Sequence, residues 1–263
     1  MKYILDHDFH IHSRLSSCSA DPEQTTENIL RYAEENGFRK IVLTDHLWDS
    51  DVKPPLSAWY APQNYGHISE ALPLPQSENV EFRFGCETEL DRDLRLGLSA
   101  DNFDKFDFII IPTTHLHMGE IISKDATIEE RTYAYVTRLD KLLDFDLPFE
   151  KIGIAHLTTP LIANGNWENH LKMLDMISDE TFYELFEKVK RKGAGVELNM
   201  NPSWYTQNEL ESVLRPYRTA KKCGCKFYFG SDAHHPQGLR EAKARFECIA
   251  ELLELEESEK FDF

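Results

Sequence analysis

The sequence predicts an α/β fold whose parallel strands form either a wound barrel or an open sheet. Short apolar runs alternate about seven times with longer segments of helical periodicity, which is typical of repeated βα units. Most of the short runs are apolar throughout, the pattern of strands covered on both faces. A length of 263 residues suits one α/β barrel domain and favours it over two smaller domains.

The predicted strands are short stretches rich in apolar and β-branched residues. In chain order they cover residues 3–9, 40–44, 80–86, 106–111, 152–155, 195–198 and 227–229. The third differs from the rest, because Val80, Phe82 and Phe84 alternate with polar residues. Such alternation predicts a strand with one exposed face.

Helical segments lie between the strands. Residues 25–36 place Ile29, Leu30 and Ala33 on one face, and Gly37 follows as a typical C-terminal residue. Capping-box sequences at 127–130 (TIEE) and 206–209 (TQNE) predict two helix starts. Further helices are predicted over 179–191 and 238–255, and the acidic tail 251–263 is expected to be a fraying helix end.

Residues 48–76 form a Pro-rich segment that shows neither the strand pattern nor the helix pattern. One short helix is predicted within it, near residues 65–71. The segment follows the second strand, where loops often cover a binding site. Its aromatic residues Trp59, Tyr60 and Tyr65 could therefore either roof a pocket or pack against the fold.

Composition excludes several classes of protein. A hydrophobic fraction of 41% supports a sizeable core, and a net charge of −17 disfavours duplex nucleic acid as a partner. Residues 1–8 lack the apolar segment of a signal peptide, and no stretch approaches the roughly 18 apolar residues of a membrane helix. Five cysteines without framework spacing fit a reducing, cytoplasmic setting.

Histidines and carboxylates follow almost every predicted strand. In chain order these segments are Asp8-Phe9-His10-Ile11-His12, Thr44-Asp45-His46, Gly85-Cys86-Glu87, Thr114-His115-Leu116-His117, His156, Asn199 and Ser231-Asp232-Ala233-His234. Because the carboxyl ends of parallel strands share one rim, at least six histidines and two carboxylates are expected to meet there.

Such a cluster favours bound divalent metal. Crowded imidazoles and carboxylates without metal would leave buried polar groups short of partners, at about 1–3 kcal/mol each, whereas both groups are ordinary metal ligands. His10 and His12 share one face of an extended segment, so both can reach one ion. Each motif alone is a weak signal, and their repetition at successive strand ends favours a metal-dependent hydrolase.

In order and spacing, these motifs resemble the PHP (polymerase and histidinol phosphatase) family from Asp8 to about Arg240. The resemblance implies a distorted (β/α)7 TIM-like barrel, here a single domain over residues 1–263, with two or three zinc, iron or manganese ions. The ligand set it implies is His10, His12, Glu87 and Asp232 for the first metal, Glu87, His115 and His156 for the second, and His46, His234 and Cys18 for the third.

Two positions depart from the family pattern. Cys18 stands where many members have aspartate or histidine; a thiolate also binds zinc or iron, and Asp21 is the alternative. The lead-in to the fourth motif is changed to Pro112-Thr113-Thr114, and we prefer His115 to His117 as the ligand because it comes sooner after the strand.

The resemblance implies hydrolysis of a small phosphorylated substrate, and chain length makes histidinol phosphate the first candidate. Metal-bound water, with its pKa lowered from 15.7 to about 7, would attack phosphorus. The candidate catalytic residues are Asp45, His117 and His235 as general acids, and Arg14 and Arg240 as cations for the phosphoryl group. Asp8 and Asp45 are also expected to orient imidazoles.

Two other functions stay open. A nucleotide or oligonucleotide phosphodiesterase would favour a broad basic groove, which the net charge of −17 argues against. A non-catalytic metal-binding module is disfavoured by the near-complete ligand set. Amidohydrolase barrels are a further alternative, but no lysine can be assigned to the ligand position that those barrels use.

Overall fold

A parallel sheet rolled almost into a barrel forms the centre of the computed structural model, which describes residues 1–263. Its strands are β1 (His7–Ile11), β2 (Lys40–Leu43), β3 (His46–Leu47), β4 (Glu81–Thr88), β5 (Phe108–Pro112), β6 (Ile152–Ala155), β7 (Gly195–Leu198) and β8 (Lys226–Phe229). The order around the sheet is β1-β2-β4-β5-β6-β7-β8, and β3 is a two-residue strand that pairs with β4. The predicted α/β class and seven-stranded TIM-like barrel are confirmed.

The barrel closes at its upper rim by backbone hydrogen bonds between β1 and the segment after β8. Ile11 forms a parallel bridge with Ala233. The amide of Asp232 donates to the carbonyl of His10 at 2.7 Å, and the amide of His12 donates to the carbonyl of Ala233 at 3.1 Å. The first and last motifs of the sequence therefore lie side by side.

Lower on the same seam, side chains replace the backbone ladder. The amide of Phe229 donates to His7 Nε2 at 3.0 Å, and the Tyr3 hydroxyl donates to the carbonyl of Phe227 at 2.7 Å. Tyr3 and His7 are both buried. They satisfy backbone groups of β8 that a strand neighbour would otherwise bond.

Seven α-helices surround the sheet. They are α1 (Thr26–Glu35), α2 (Tyr65–Ile68), α3 (Ile128–Leu142), α4 (Trp167–Met176), α5 (Asp179–Lys192), α6 (Gln207–Cys223) and α7 (Pro236–Leu252). Thr127 and Glu130 form the predicted capping box of α3, and Glu209 accepts from the Thr206 amide before α6. Helix α4 is the one not predicted; Asn166 caps it. None of the helices has the length and apolar character needed to cross a bilayer.

The prediction of a fraying C-terminal helix end was wrong. Helix α7 ends at Leu252, and the tail then crosses the base of the barrel, where Phe261 donates its amide to the carbonyl of Phe227 at 2.8 Å. The Phe263 ring stacks on Phe108 with centroids 4.6 Å apart. The apolar residues of the tail outweigh its acidic ones, because they find an aromatic floor made by strand side chains such as Tyr228.

Replacing Phe261 by alanine is expected to lower the free energy of unfolding by about 3 kcal/mol, because it removes a buried ring from this floor. Tyr133→Ala, at an aromatic residue that is 73% exposed, is expected to change it by less than about 0.5 kcal/mol. Urea unfolding followed by circular dichroism measures both values. Equal effects would contradict a structural role for the tail.

Candidate metal centre

The strand ends bring a cluster of buried imidazoles and carboxylates together at the upper rim. Three groups have potential ligand atoms within 4.8 Å of one another: His10, His12 and Asp232; Glu87, His115 and His156; and His12, His46 and His234. The groups divide much as the sequence predicts. Two members differ: Glu87 is not in the first group, and His12, rather than Cys18, lies with His46 and His234.

Glu87 approaches both imidazoles of the first group, as Asp232 does. His10 Nε2 and His12 Nε2 are 3.0 Å apart. Asp232 Oδ1 lies 3.4 and 3.2 Å from these two nitrogens, and Glu87 Oε2 lies 3.5 and 3.4 Å from them. Four ligands bound tetrahedrally at 2.0–2.1 Å would be roughly 3.3–3.4 Å apart. These residues therefore fit a divalent metal ion.

Glu87 links the three groups. Its Oε1 lies 3.3 Å from His156 Nε2, and its Oε2 lies 2.9 Å from His46 Nδ1. The second contact is close but has no hydrogen-bond geometry, so His46 Nδ1 is buried without a hydrogen-bond partner. A buried imidazole nitrogen with no protein partner beside a carboxylate is what a metal ligand looks like before the ion is bound.

In five of the histidines, Nδ1 contacts another group of the protein, so that Nε2 stays free to bind a metal ion. The partners of Nδ1 are the Glu197 carboxylate for His10, the Ser16 hydroxyl for His12, the Glu89 carboxylate for His115, the Thr114 hydroxyl for His156 and the Asp232 carbonyl for His234. Such partners fix the tautomer and the ring orientation of metal-binding histidines.

Glu197 on β7 is a site residue that the sequence analysis missed. Its Oε1 is 2.6 Å from His10 Nδ1, and its Oε2 accepts from the His156 amide at 2.7 Å. Gly230 makes room for it, because a Cβ at position 230 would overlap Glu197 Oε1 and the Cβ of His10. The signal available in the sequence was a glutamate within an otherwise apolar predicted strand, because such a residue is rarely buried without a partner.

Glu89 and Arg138 are two further site residues that the sequence analysis missed, and together they hold His115 in place. Glu89 directly follows the last residue of β4 and accepts from His115 Nδ1 at 2.7 Å. Its other oxygen accepts from Arg138 at 3.1 Å, and this arginine on α3 is almost fully buried. Arg138 also donates to the carbonyls of Leu90, Asp91 and Thr113. The pair thereby fixes the ends of β4 and β5 relative to each other.

Asp45 and Asp8 were predicted to orient imidazoles directly, but neither carboxylate bonds a histidine ring. Asp45 accepts from the amide and hydroxyl of Ser13 and from the hydroxyl of Ser16, through which it reaches His12. Asp8 accepts from the amides of His10 and Ser231 and from the Tyr32 hydroxyl. Both carboxylates hold the loops that carry the histidines.

His156 and Asp232 have left-handed backbones, with φ of 33° and 52°. Residues other than glycine rarely adopt this region, which costs of order 1–3 kcal/mol when the surrounding structure imposes it. Here both strained residues bring a potential ligand atom to the rim. The strain is consistent with a functional constraint at these two positions.

The carboxylates and imidazoles of the cluster shift one another's proton affinity. Burial opposes charge on His12, but Asp232 and Glu87 outweigh it and raise the pKa of His12 to about 9. At His10, too, the nearby carboxylates outweigh burial, and they raise its pKa well above the usual value. Burial, the nearby His12 and the nearby His46 lower the pKa of His234 to about 4.

A cavity of about 290 Å3 opens over the cluster. Its lining residues are Cys18, His46, Trp59, Tyr60, Glu87, His115, His117, Met118, Leu161, Asp232 and His234. Trp59 and Tyr60 come from the Pro-rich segment, so part of that segment covers the site. Tyr65 instead packs against Phe106, with ring centroids 5.9 Å apart.

Several candidate residues lie elsewhere. Arg14 is exposed and does not line the cavity, and neither does Asp45. Arg240 lines a separate cavity together with Asp21 and His235. The predicted arginines are therefore not placed where a phosphoryl group over the cluster would lie, because both are on exposed surface outside its cavity.

Zinc binding at pH 7 is expected to release the proton of His12, because its pKa is raised to about 9 and a ligating imidazole is neutral. The metal affinity should rise with pH, and the release should fade as the starting pH passes about 9. Calorimetry in two buffers of different ionisation enthalpy counts the protons. A release of none at pH 7 would contradict a protonated imidazole at position 12.

Comparisons with known proteins place the chain in a family. A model of the PHP domain matches residues 8–201, and no curated protein matches the sequence. The fold is similar to histidinol phosphate phosphatase from Lactococcus lactis subsp. lactis Il1403, solved with zinc, L-histidinol and phosphate. The TM-score is 0.61 at 15% identity, over 98% of this chain and 99% of that one. Because the family model matches well over half of the sequence, the chain belongs to the PHP domain family.

Proposed function

We propose that this protein is a metal-dependent phosphoesterase acting on a small phosphorylated metabolite. The observation that carries the proposal is the set of ligand atoms from His10, His12 and Asp232, which lie within 3.4 Å of one another, with Glu87 Oε2 within 3.5 Å of both imidazoles. Membership of the PHP family and the fold shared with a histidinol phosphate phosphatase support it. Residues 1–263 act as one domain in this proposal.

The proposed ligands divide among two or three divalent ions, zinc, iron or manganese. The first ion is held by His10, His12, Glu87 and Asp232, and the second by Glu87, His115 and His156. A third is held by His46 and His234 with Cys18, which lines the same cavity. Imidazole, carboxylate and thiolate all suit these metals.

The bound ions would supply a hydroxide at neutral pH and withdraw charge from the phosphoryl oxygens. The protein orients the ligands: Glu197 and Glu89 hold His10 and His115 by Nδ1 so that Nε2 stays available. Trp59 and Tyr60 line one side of the cavity. Of the predicted general acids, only His117 lines the cavity. Burial and the nearby His115 lower its pKa to about 4, so it is neutral near pH 7 and we assign it a polar contact with the substrate instead of the proton for the leaving oxygen.

The preferred substrate class is a phosphomonoester of a small alcohol, with histidinol phosphate as the first compound to test. The zinc, L-histidinol and phosphate bound to the Lactococcus lactis enzyme support that choice. The cavity of about 290 Å3 lies at the small end of ligand sites, which are typically about 300–1,000 Å3. That size disfavours an oligonucleotide substrate.

The metal-loaded protein is expected to hydrolyse histidinol phosphate and a generic aryl phosphate. In His10→Ala, metal content should fall by the one ion that His10 holds, and turnover should fall by more than the roughly 10–100-fold that losing an outer partner of a ligand costs. Elemental analysis and phosphate release measure the two quantities on one sample. His67→Ala is the matched control, since His67 bonds the Leu15 carbonyl away from the cluster. Metal without hydrolysis of any phosphomonoester would refute the proposed function.

Cobalt-loaded protein is expected to show thiolate-to-cobalt charge-transfer absorption that disappears in Cys18→Ser and persists in Cys248→Ser. Burial of the thiol and the charges of Glu87 and Asp232 raise the pKa of Cys18 to about 12, so the bound ion must displace its proton. Cys248 is a second exposed free cysteine and a fair control. Absorption unchanged by Cys18→Ser would remove this residue from the ligand set.

A further inference from the structure

The wall of the cavity over the metal cluster contains no lysine or arginine. Beyond the cluster and His117, it is made by the side chains of Trp59, Tyr60, Met118 and Leu161. Trp59 is 38% exposed, and its ring is held edge-on by Tyr60 at 4.8 Å and His46 at 5.2 Å. An aromatic ring fixed by its neighbours and still partly open offers a face to a ligand.

Two buried arginines of α3 contact the loops beside the cavity, and neither supplies positive charge to it. Arg131 is buried and donates to the carbonyls of Leu116, Ser123 and Lys124. Arg138 is buried and bonds Glu89 as well as three backbone carbonyls. Guanidinium groups with this many protein acceptors are fixed in the structure, so neither can turn toward a ligand.

We infer that the organic part of the substrate is an uncharged or cationic group, aromatic or aliphatic, that carries no negative charge beyond the phosphoryl group. This inference rests on the proposed function and concerns the same cavity. The phosphoryl group faces the metal ligands, while the rest of the molecule lies against Trp59 and the apolar wall. A carboxylate or second phosphate there would be removed from water without a partner, which is costly.

Tyramine phosphate and phosphotyrosine form a matched pair for the test, because they differ only by one carboxylate. The zinc-loaded protein is expected to hydrolyse tyramine phosphate with a kcat/KM at least 10-fold higher, most of the difference being in KM. Leu161→Arg, which adds a cation to the partly exposed wall, is expected to reduce that preference at least several-fold. Equal kcat/KM values, or a preference for phosphotyrosine, would overturn the inference and leave the phosphatase activity standing.

A second measurement does not depend on turnover. Saturation-transfer NMR on the zinc-loaded protein is expected to detect binding of tyramine and to show a weaker signal for tyrosine. The tyramine signal should be lost in Trp59→Ala and kept in Trp204→Ala, because Trp204 is exposed and does not line the cavity. Trp59-dependent binding in a protein that hydrolyses no ester would refute the proposed function while supporting this inference. Absence of a tyramine signal in the unmodified protein would overturn it.

Discussion

The hydrogen bonds that close the barrel at its upper rim are the constraint on which the metal centre depends. Asp232 donates its amide to the carbonyl of His10, and the Asp232 carboxylate lies 3.4 Å from His10 Nε2. One residue therefore both joins the last loop to the first strand and faces the imidazole of that strand. Two halves of the site more than two hundred residues apart in the chain meet only because the sheet closes here.

Inside the cluster, Glu87 is the residue that joins histidines from different strand ends. Its two oxygens lie within 3.5 Å of nitrogens from His10, His12, His46 and His156. A carboxylate buried this deeply stays ionised because those imidazoles lower its pKa well below the usual value, against the effect of burial. Negative charge at the centre is thus compatible with the fold only while positive charge, from protons or from metal, surrounds it.

The sequence allowed the sheet and most of the cluster to be predicted because both are local signals. An apolar run marks a strand, and the residues right after it belong to the rim. Glu197, Glu89 and Arg138 were missed because their role comes from partners on other strands or helices, such as His10 and His115. The tail was misjudged for the same reason: its acidic residues are visible in sequence, and its aromatic floor is not.

The close approach of Gly230 to Glu197 has a consequence for how the sequence can drift. Any side chain at 230 would occupy the space of the carboxylate that holds His10, while a shorter side chain at 197 would release that imidazole. Single substitutions at either position are therefore harmful, and a pair that enlarged position 230 and shortened position 197 would still release His10. Across descendants of this chain the two positions are expected to be inherited as one unit, although 33 residues separate them.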